Sequence, residues 1–196
     1  MQTIDPAISR AKFEREIAQY RELEATYRSR GWFLIKAEFP KVHVVFAGPK
    51  LKPAAIVVAV ELDFSDYDLK PPSVTFIDPF SGGPLLRKDL QFQMLRRTVP
   101  AVAGAGGMMF LSPPQDIVQA NGPDDRPFIC LPGIREYHDN PAHSGDPWLM
   151  HRGSGEGSLA FILEKVWTYG VNPIENYQVQ LQPMISMIVQ PNAIPE

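Results

Sequence analysis

The sequence predicts one α+β domain, with an N-terminal helix, a four-stranded antiparallel meander, a loop that carries the lone cysteine, and a helix that crosses the sheet. Two patterns predict this class. Apolar residues recur at helical spacing near the start and again after the cysteine, and strand-like runs joined by short turns lie between these helices. A chain of 196 residues with 44% hydrophobic residues can bury one core of this size.

The composition argues against two classes of partner. The net charge of −3 lacks the basic excess that general nucleic-acid binding requires. No apolar run approaches the ~18 residues of a membrane span, and Asp5 and Glu14 interrupt the N-terminus where a signal peptide needs an apolar core. A single cysteine cannot form an internal disulfide, so nothing indicates an oxidising compartment and we expect a cytoplasmic protein. From the charge and the lack of an apolar span, we expect neither a nucleic-acid nor a membrane partner.

The first predicted element is a helix that begins after Asp5 and ends at Gly31. Asp5 is a good N-cap, and Pro6 suits the first helical position. The apolar stripe of this helix consists of Phe13, Ile17, Tyr20 and Tyr27. We therefore expect an amphipathic helix that packs one side against the sheet.

Four strands are predicted next, at residues 32–39, 42–46, 55–64 and 73–77. Alternation is clearest in the third run, where every second residue from Ile56 is apolar. A double proline precedes the fourth run. Because proline cannot sit inside a central ladder, we expect this strand to begin after the prolines. Short turns between successive runs predict an antiparallel meander.

Cys130 ends an apolar run that stops at a Pro-Gly pair. The end of a strand offers a thiol both solvent access and a local field that favours thiolate, which a nucleophile needs. A lone cysteine in an apolar run is also commonly a small buried hydrophobe, so a catalytic role and a packing role stay open.

The loop after Cys130 contains three of the four histidines of the chain. A protonated imidazole lowers the pKa of a neighbouring thiol, and a neutral imidazole takes the proton from an attacking amine. His138 and His143 are the candidates for this role, and Asp139 or Asp146 could orient the imidazole. These side chains lack the compact spacing of a zinc motif, so we predict no metal site.

Several segments resemble the ubiquitin-conjugating enzymes. Residues 61–76 contain a strand, a tyrosine, a double proline and a second strand, as in that family, and the tripeptide Ile-Cys-Leu at 129–131 resembles its active-site cysteine. Trp148, the helical stretch 158–169 and an Asn-Pro pair at 172–173 follow in the same order. The resemblance implies a UBC-like fold, with Cys130 in the active-site loop.

The resemblance also implies a reaction and its participants. Cys130 would accept a ubiquitin-like protein as a thioester from an activating enzyme and transfer it to an amine, usually a lysine, on a protein substrate, without a cofactor of its own. Asn121 stands about where the asparagine of the family stabilises the oxyanion, although a role as turn former beside Gly122 is equally open. Asp139 or Asp146 would draw in the incoming ammonium, as an acidic residue does in the family.

Two segments depart from the compact members of that family. Residues 79–119 form a long insertion before the cysteine, with a predicted helix at 85–98 and a glycine-rich turn at 101–107 that lacks the Lys-Ser/Thr of a P-loop. Residues 174–196 are predicted to form an extended arm that begins with a strand-like run at 178–182. The insertion and the histidine-rich loop resemble prokaryotic conjugating-like proteins, some of which are linked to phage defence.

Two other functions remain open at this point. In the first, Cys130 is buried and the domain is a non-catalytic UBC-like scaffold that binds a ubiquitin-like protein. In the second, the chain is an unrelated cysteine hydrolase whose triad is Cys130, one of the two candidate histidines, and Asp146. Thiol reactivity separates the first from the conjugating enzyme, and cleavage of an ester without an activating enzyme identifies the second.

Overall fold

A computed structural model describes residues 5–96 and 113–178 of the chain. Its centre is a four-stranded antiparallel sheet in the order β1-β2-β3-β4, which confirms the predicted meander. The strands are β1 Trp32–Glu38, β2 Lys41–Gly48, β3 Ala55–Asp63 and β4 Ser73–Ile77. With helices packed on this sheet, the protein is of the α+β class.

One face of the sheet is buried because β2 and β3 alternate apolar residues in matching register. Val44 lies opposite Val60, for example, and both are inaccessible to solvent. Ile56 was predicted for the same face, yet it is 46% exposed. The pairing of the two strands shifts between Phe46 and Ala47. Because side chains alternate with a period of two, a shift of one residue turns the following side chain to the other face.

The N-terminal helix is divided into α1 Pro6–Glu22 and α2 Glu24–Ser29. The side chain of Asp5 accepts a hydrogen bond from the backbone N–H of Ala7 at 2.9 Å, which confirms the predicted N-cap. The single predicted helix is interrupted at Leu23, whose side chain is 52% exposed. Beyond this break Tyr27 stacks on Trp32 of β1, with ring centroids 4.7 Å apart. The break therefore accompanies a contact between the helix and the first strand.

Shorter elements follow the sheet: β5 Leu95–Arg96, β6 Gln115–Asp116, β7 Val118–Gln119, β8 Phe128–Ile129, α3 Arg135–Asp139, a 3-10 turn Pro141–His143, α4 Trp148–His151, α5 Leu159–Val166 and a π-helical turn Trp167–Val171. β5 pairs with β6, and β7 pairs with β8. Ser158 caps α5 by accepting from the backbone N–H of Phe161 at 3.3 Å. The predicted second helix is thus confirmed, with a π-helical last turn.

The predicted helix at 85–98 is wrong for the residues that are described. Residues 85–94 form turns and extended chain, and they lead into β5. Leu90, Phe92 and Met94 are buried while the residues between them are exposed. This is a period of two, which suits an extended chain and not a helix. Both described ends of the predicted insertion, 79–119, thereby contribute to the main core, and the glycine-rich run at 101–107 lies outside the described residues.

The C-terminal segment is described only as far as residue 178. Residues 174–178 have no regular secondary structure, and the hydroxyl of Tyr177 donates to the carbonyl oxygen of Pro53 at 3.2 Å. The rest of the predicted arm, including most of the strand-like run at 178–182, lies outside the described residues. None of the helices in 5–96 and 113–178 has both the length and the apolar character that crossing a bilayer requires.

A buried carboxylate joins α1 to α5. Glu16 is only 4% exposed, and its Oε2 accepts a hydrogen bond at 3.0 Å from the backbone N–H of Leu159, the first residue of α5. The hydroxyl of Tyr67 donates to the other carboxylate oxygen at 3.4 Å. The first N–H groups of a helix have no partner within the helix, so Glu16 satisfies one that would otherwise be buried and unpaired.

Replacing Glu16 by alanine is expected to lower the free energy of unfolding by about 2–3 kcal/mol, because the N–H of Leu159 loses its acceptor in a buried place. Urea denaturation measures this loss. Glu14→Ala is the matched control, since Glu14 is exposed on the same helix and its replacement should change stability by less than about 0.5 kcal/mol. Equal losses in the two variants would contradict the role given to Glu16.

Candidate functional site

The lone cysteine lies where the β7–β8 hairpin ends and the histidine-rich loop begins. The backbone N–H of Cys130 donates to the carbonyl oxygen of Ile117 at 2.8 Å, so the hairpin fixes the position of the residue. The residue is partly exposed. Its thiol is therefore neither a fully buried packing group nor a freely solvated one.

His143 is the histidine that meets this thiol. Its Nε2 lies 3.3 Å from the Sγ of Cys130. The ring is delivered by the 3-10 turn, whose start is capped by the side chain of Asn140, which accepts from the backbone N–H of Ala142 at 3.0 Å. At this distance the imidazole can take the proton of the thiol directly.

The aromatic ring of Tyr137 packs against the face of the imidazole of His143. The two rings are stacked, with centroids 3.9 Å apart and planes inclined by 22°. The hydroxyl of Tyr137 donates to Oδ2 of Asp146 at 2.7 Å. The backbone N–H of Asp146 donates to the backbone carbonyl oxygen of His143 at 2.9 Å, but no hydrogen bond among the described residues joins the carboxylate of Asp146 to the imidazole of His143. The carboxylate of Asp146 thus reaches the imidazole only through Tyr137, which differs from the direct His-Asp side-chain contact of a hydrolase triad.

The environment of the thiol favours its protonated form. Burial raises the pKa of the Cys130 thiol, and the positive charge of Arg96 acts in the opposite direction. Burial and the neighbouring Asp146 together raise the pKa of Tyr137 to about 12, so its hydroxyl remains a donor at neutral pH. Because the thiol is not made acidic by its surroundings, a nucleophilic attack by Cys130 needs a base, and His143 is in place to serve as one.

The ring of His138 makes its hydrogen bonds to backbone atoms and not to the thiol of Cys130. The backbone N–H of Gly133 donates to its Nε2 at 3.1 Å, and its Nδ1 lies 2.9 Å from the backbone carbonyl oxygen of Asp146. An N–H can only donate and a carbonyl can only accept, so the ring is neutral and carries its proton on Nδ1. With both nitrogens bonded to the backbone, His138 organises the loop, and its predicted role beside the thiol stays a prediction without a contact to support it.

Asn121 and Asp139 lie together on the surface, away from hydrogen-bonding contact with the sulfur. They line a depression of about 330 Å³ whose wall includes Phe128 and Pro141. Among the hydrogen bonds of the described residues, none links either side chain to Cys130. The oxyanion role of Asn121 and the ammonium-attracting role of Asp139 therefore stay predictions without a contact to support them.

Two further side chains complete the site and were not among the sequence candidates. His151 lies between two carboxylates, with its Nε2 2.5 Å from Oδ1 of Asp146 and its Nδ1 against Oε2 of Glu156. The presence of a third histidine in the loop was a signal for this residue, but Glu156 belongs to no motif. Within 5–96 and 113–178, no group of three His, Cys, Asp or Glu side chains is arranged to hold a metal ion.

The part of the chain that carries the site matches a known protein family. A family model described as the Y4jH-like family matches residues 4–174, which include the hairpin, the cysteine and the histidine-rich loop. The chain is also 52% identical over 204 residues to the "Uncharacterized protein y4jH" of Sinorhizobium fredii, in a match that covers 100% of this chain and 98% of that relative.

Proposed function

This chain belongs to the Y4jH-like family, and we propose that it is a cysteine acyltransferase of the ubiquitin-conjugating type. Cys130 accepts the C-terminus of a ubiquitin-like protein from an activating enzyme, and an amine of a protein substrate then receives it. The observation that carries the proposal is the 3.3 Å contact between the thiol and His143. A partly exposed thiol beside an imidazole is what acyl transfer through a thioester requires.

The first step forms the thioester on Cys130. His143 takes the proton of the thiol, and the sulfur attacks the carbonyl carbon of the thioester held by the activating enzyme. The bond from that carbon to the sulfur of the activating enzyme breaks, and the departing thiolate is protonated from the imidazolium. A new thioester replaces the old one, so the exchange is nearly balanced in free energy and is driven by the ATP that the activating enzyme has already used.

The second step releases the modifier to the amine. A neutral amine attacks the carbonyl carbon of the new thioester, and the bond to the sulfur of Cys130 breaks to leave a thiolate. His143, neutral again after the first step, takes the proton that the amine loses. Neither step involves oxidation or reduction, which fits a reaction that needs no cofactor from this chain.

The fold supports the proposal through the placement of the site. A helix precedes a four-stranded antiparallel meander, the cysteine follows the meander, and α5 contacts α1 after it. The double proline of the resemblance stands directly before β4, and the backbone N–H of Arg135 donates to the carbonyl oxygen of Pro72 at 2.9 Å. The motif that resembles the conjugating enzymes thus contacts the loop after the cysteine.

The test is a charging assay with the full chain. Purified protein is incubated with ATP and with a candidate ubiquitin-like protein and a candidate activating enzyme, chosen from the products of neighbouring genes, and the products are separated with and without thiol reductant. We expect an adduct that reductant removes and that Cys130→Ala does not form. Cys130→Ser is the matched variant, because its oxygen ester resists the reductant and identifies residue 130 as the point of attachment.

Other results of this assay would overturn the proposal. If the activating enzyme is demonstrably charged and no adduct forms on this chain, the domain is a non-catalytic scaffold. If the chain cleaves simple esters without an activating enzyme, and loses this activity in Cys130→Ala, it is a cysteine hydrolase. The carboxylate of Asp146 binds Tyr137 and His151 and not the imidazole of His143, which argues against that second outcome.

A further inference from the structure

We propose that His151 is a positioning residue of the site, which acts as an imidazolium clamped between Asp146 and Glu156 and thereby holds Tyr137 and His143 against Cys130. The clamp consists of His151 and these two carboxylates. It lies outside hydrogen-bonding contact with the sulfur, so it acts through other side chains. The inference rests on the proposed function in one respect, namely that Cys130 is the nucleophile whose reactivity the clamp adjusts.

The geometry of the clamp requires a charged ring. Each nitrogen of His151 faces a carboxylate oxygen, that of Asp146 at 2.5 Å and that of Glu156 on the other side. A carboxylate can only accept, and a neutral imidazole carries one proton, so a neutral ring would set a lone pair against one of the two oxygens. Both contacts are favourable only when both nitrogens are protonated. In agreement, the hydrogen bonds that His151 donates to Asp146 and Glu156 raise its pKa above the ordinary value.

The other titratable groups around the clamp do not supply a positive charge to its two carboxylates. The ring of His138 lies 5.3 Å from that of His151 and is neutral, as its two backbone contacts require. The guanidinium of the neighbouring Arg152 is bound by Asp68, at 3.0 Å. Tyr137 faces the clamp only through its hydroxyl, which donates to Asp146. His151 is therefore the cation that the two carboxylates of the clamp share.

Asp146 connects the clamp to the thiol. One of its oxygens is held by His151 and the other accepts from the hydroxyl of Tyr137 at 2.7 Å. The ring of Tyr137 in turn stacks on His143, whose Nε2 lies 3.3 Å from the sulfur. When His151 loses its proton, Asp146 is left with a weaker anchor, and the stack that orients His143 loosens.

The direction of the pH dependence follows from the raised pKa. A group whose pKa is raised in the folded state contributes its interaction at pH values below that pKa, and the contribution is lost as the pH rises through it. The clamp is thus closed at pH values below the raised pKa of His151 and opens as the pH rises through it. Replacing Glu156 by glutamine removes one of the two groups that raise the pKa of His151, so the opening should move to lower pH.

The test measures the rate of alkylation of Cys130 by iodoacetamide across the pH range. This needs no partner protein, and Cys130 is the only cysteine of the chain. We expect His151→Gln to react about 5-fold more slowly than the wild type near pH 6, with the difference vanishing above the pKa of His151. Glu156→Gln should match the wild type at the acidic end and approach His151→Gln at a lower pH than the wild type does.

A measurement on the wild type guards against a variant that does not fold. The ring resonances of His143, followed by NMR, should show an inflection at the same pH at which His151 titrates. Equal alkylation rates of wild type and folded His151→Gln at every pH, or His143 resonances that ignore the titration of His151, would overturn the inference. If instead the charging assay yields no adduct, it is the proposed function that fails, and the two failures are told apart by separate experiments.

Discussion

Replacing His143 by glutamine is expected to slow both the alkylation of Cys130 and its charging about 100-fold, while the free energy of unfolding changes by less than about 1 kcal/mol. The reason is the contact of 3.3 Å between its Nε2 and the thiol, together with the burial that raises the pKa of that thiol. Glutamine keeps a planar polar group beside Tyr137 but cannot take a proton. Alkylation kinetics and urea denaturation of the same preparations measure the two effects.

His138→Gln is the matched control, because it changes the same residue type in the same loop. It removes a ring whose two nitrogens bind the backbone of Gly133 and Asp146, so we expect a loss of about 1–3 kcal/mol in the free energy of unfolding. The folded fraction of this variant should alkylate within about 5-fold of the wild-type rate. The opposite pattern, with a reactive His143→Gln and an unreactive His138→Gln, would make His138 the base.

The sheet was predictable from the sequence because each strand buries one face, which imposes a period of two on its apolar residues. The same signal was present at Leu90, Phe92 and Met94, where a helix was expected. That stretch is followed by a leucine and two arginines, which are good helix formers. The predicted helix agrees with this helix propensity, but the burial of alternate side chains decides the conformation. Packing against the main core overrides local preference there.

The candidate site was predictable in its residue types but not in their roles. The order of the motifs placed Cys130 at the end of a strand, but nothing local tells whether His138 or His143 turns toward it. That choice depends on the backbone groups of Gly133 and Asp146, which hydrogen-bond both ring nitrogens of His138, whereas the ring of His143 contacts the thiol. The partners of His151 stand on either side of it in the chain and meet it only after the loop has folded back.

This fold-back also depends on Gly133, and Gly133→Ala is expected to lower the free energy of unfolding by about 3 kcal/mol and to disorganise the site. The residue has φ +86°, a conformation that L side chains rarely adopt. A Cβ at this position would lie 2.5 Å from the backbone nitrogen of Gly157 and 3.0 Å from the carbonyl carbon of Glu156. Both are backbone atoms, so no rotation of a side chain relieves the clash.

Gly145→Ala is the matched control for this substitution. Gly145 lies in the same loop, and a Cβ built on it meets no atom within 4 Å. We expect its melting temperature to stay near that of the wild type, while Gly133→Ala melts about 6–12 °C lower, as ~3 kcal/mol implies for a chain of this size. Equal melting temperatures for the two variants would contradict the close packing of the cysteine loop on Glu156 and Gly157.

The reactivity of Cys130 in Gly133→Ala tests how the loop is held together. The N–H of Gly133 donates to His138, whose other nitrogen binds the backbone of Asp146, and Glu156 binds His151. Pushing residue 133 away from residues 156 and 157 therefore strains both sets of contacts that place Asp146. If His143 depends on them, the folded fraction of Gly133→Ala should alkylate more slowly than Gly145→Ala, whereas equal rates would mean that the 3-10 turn alone positions His143.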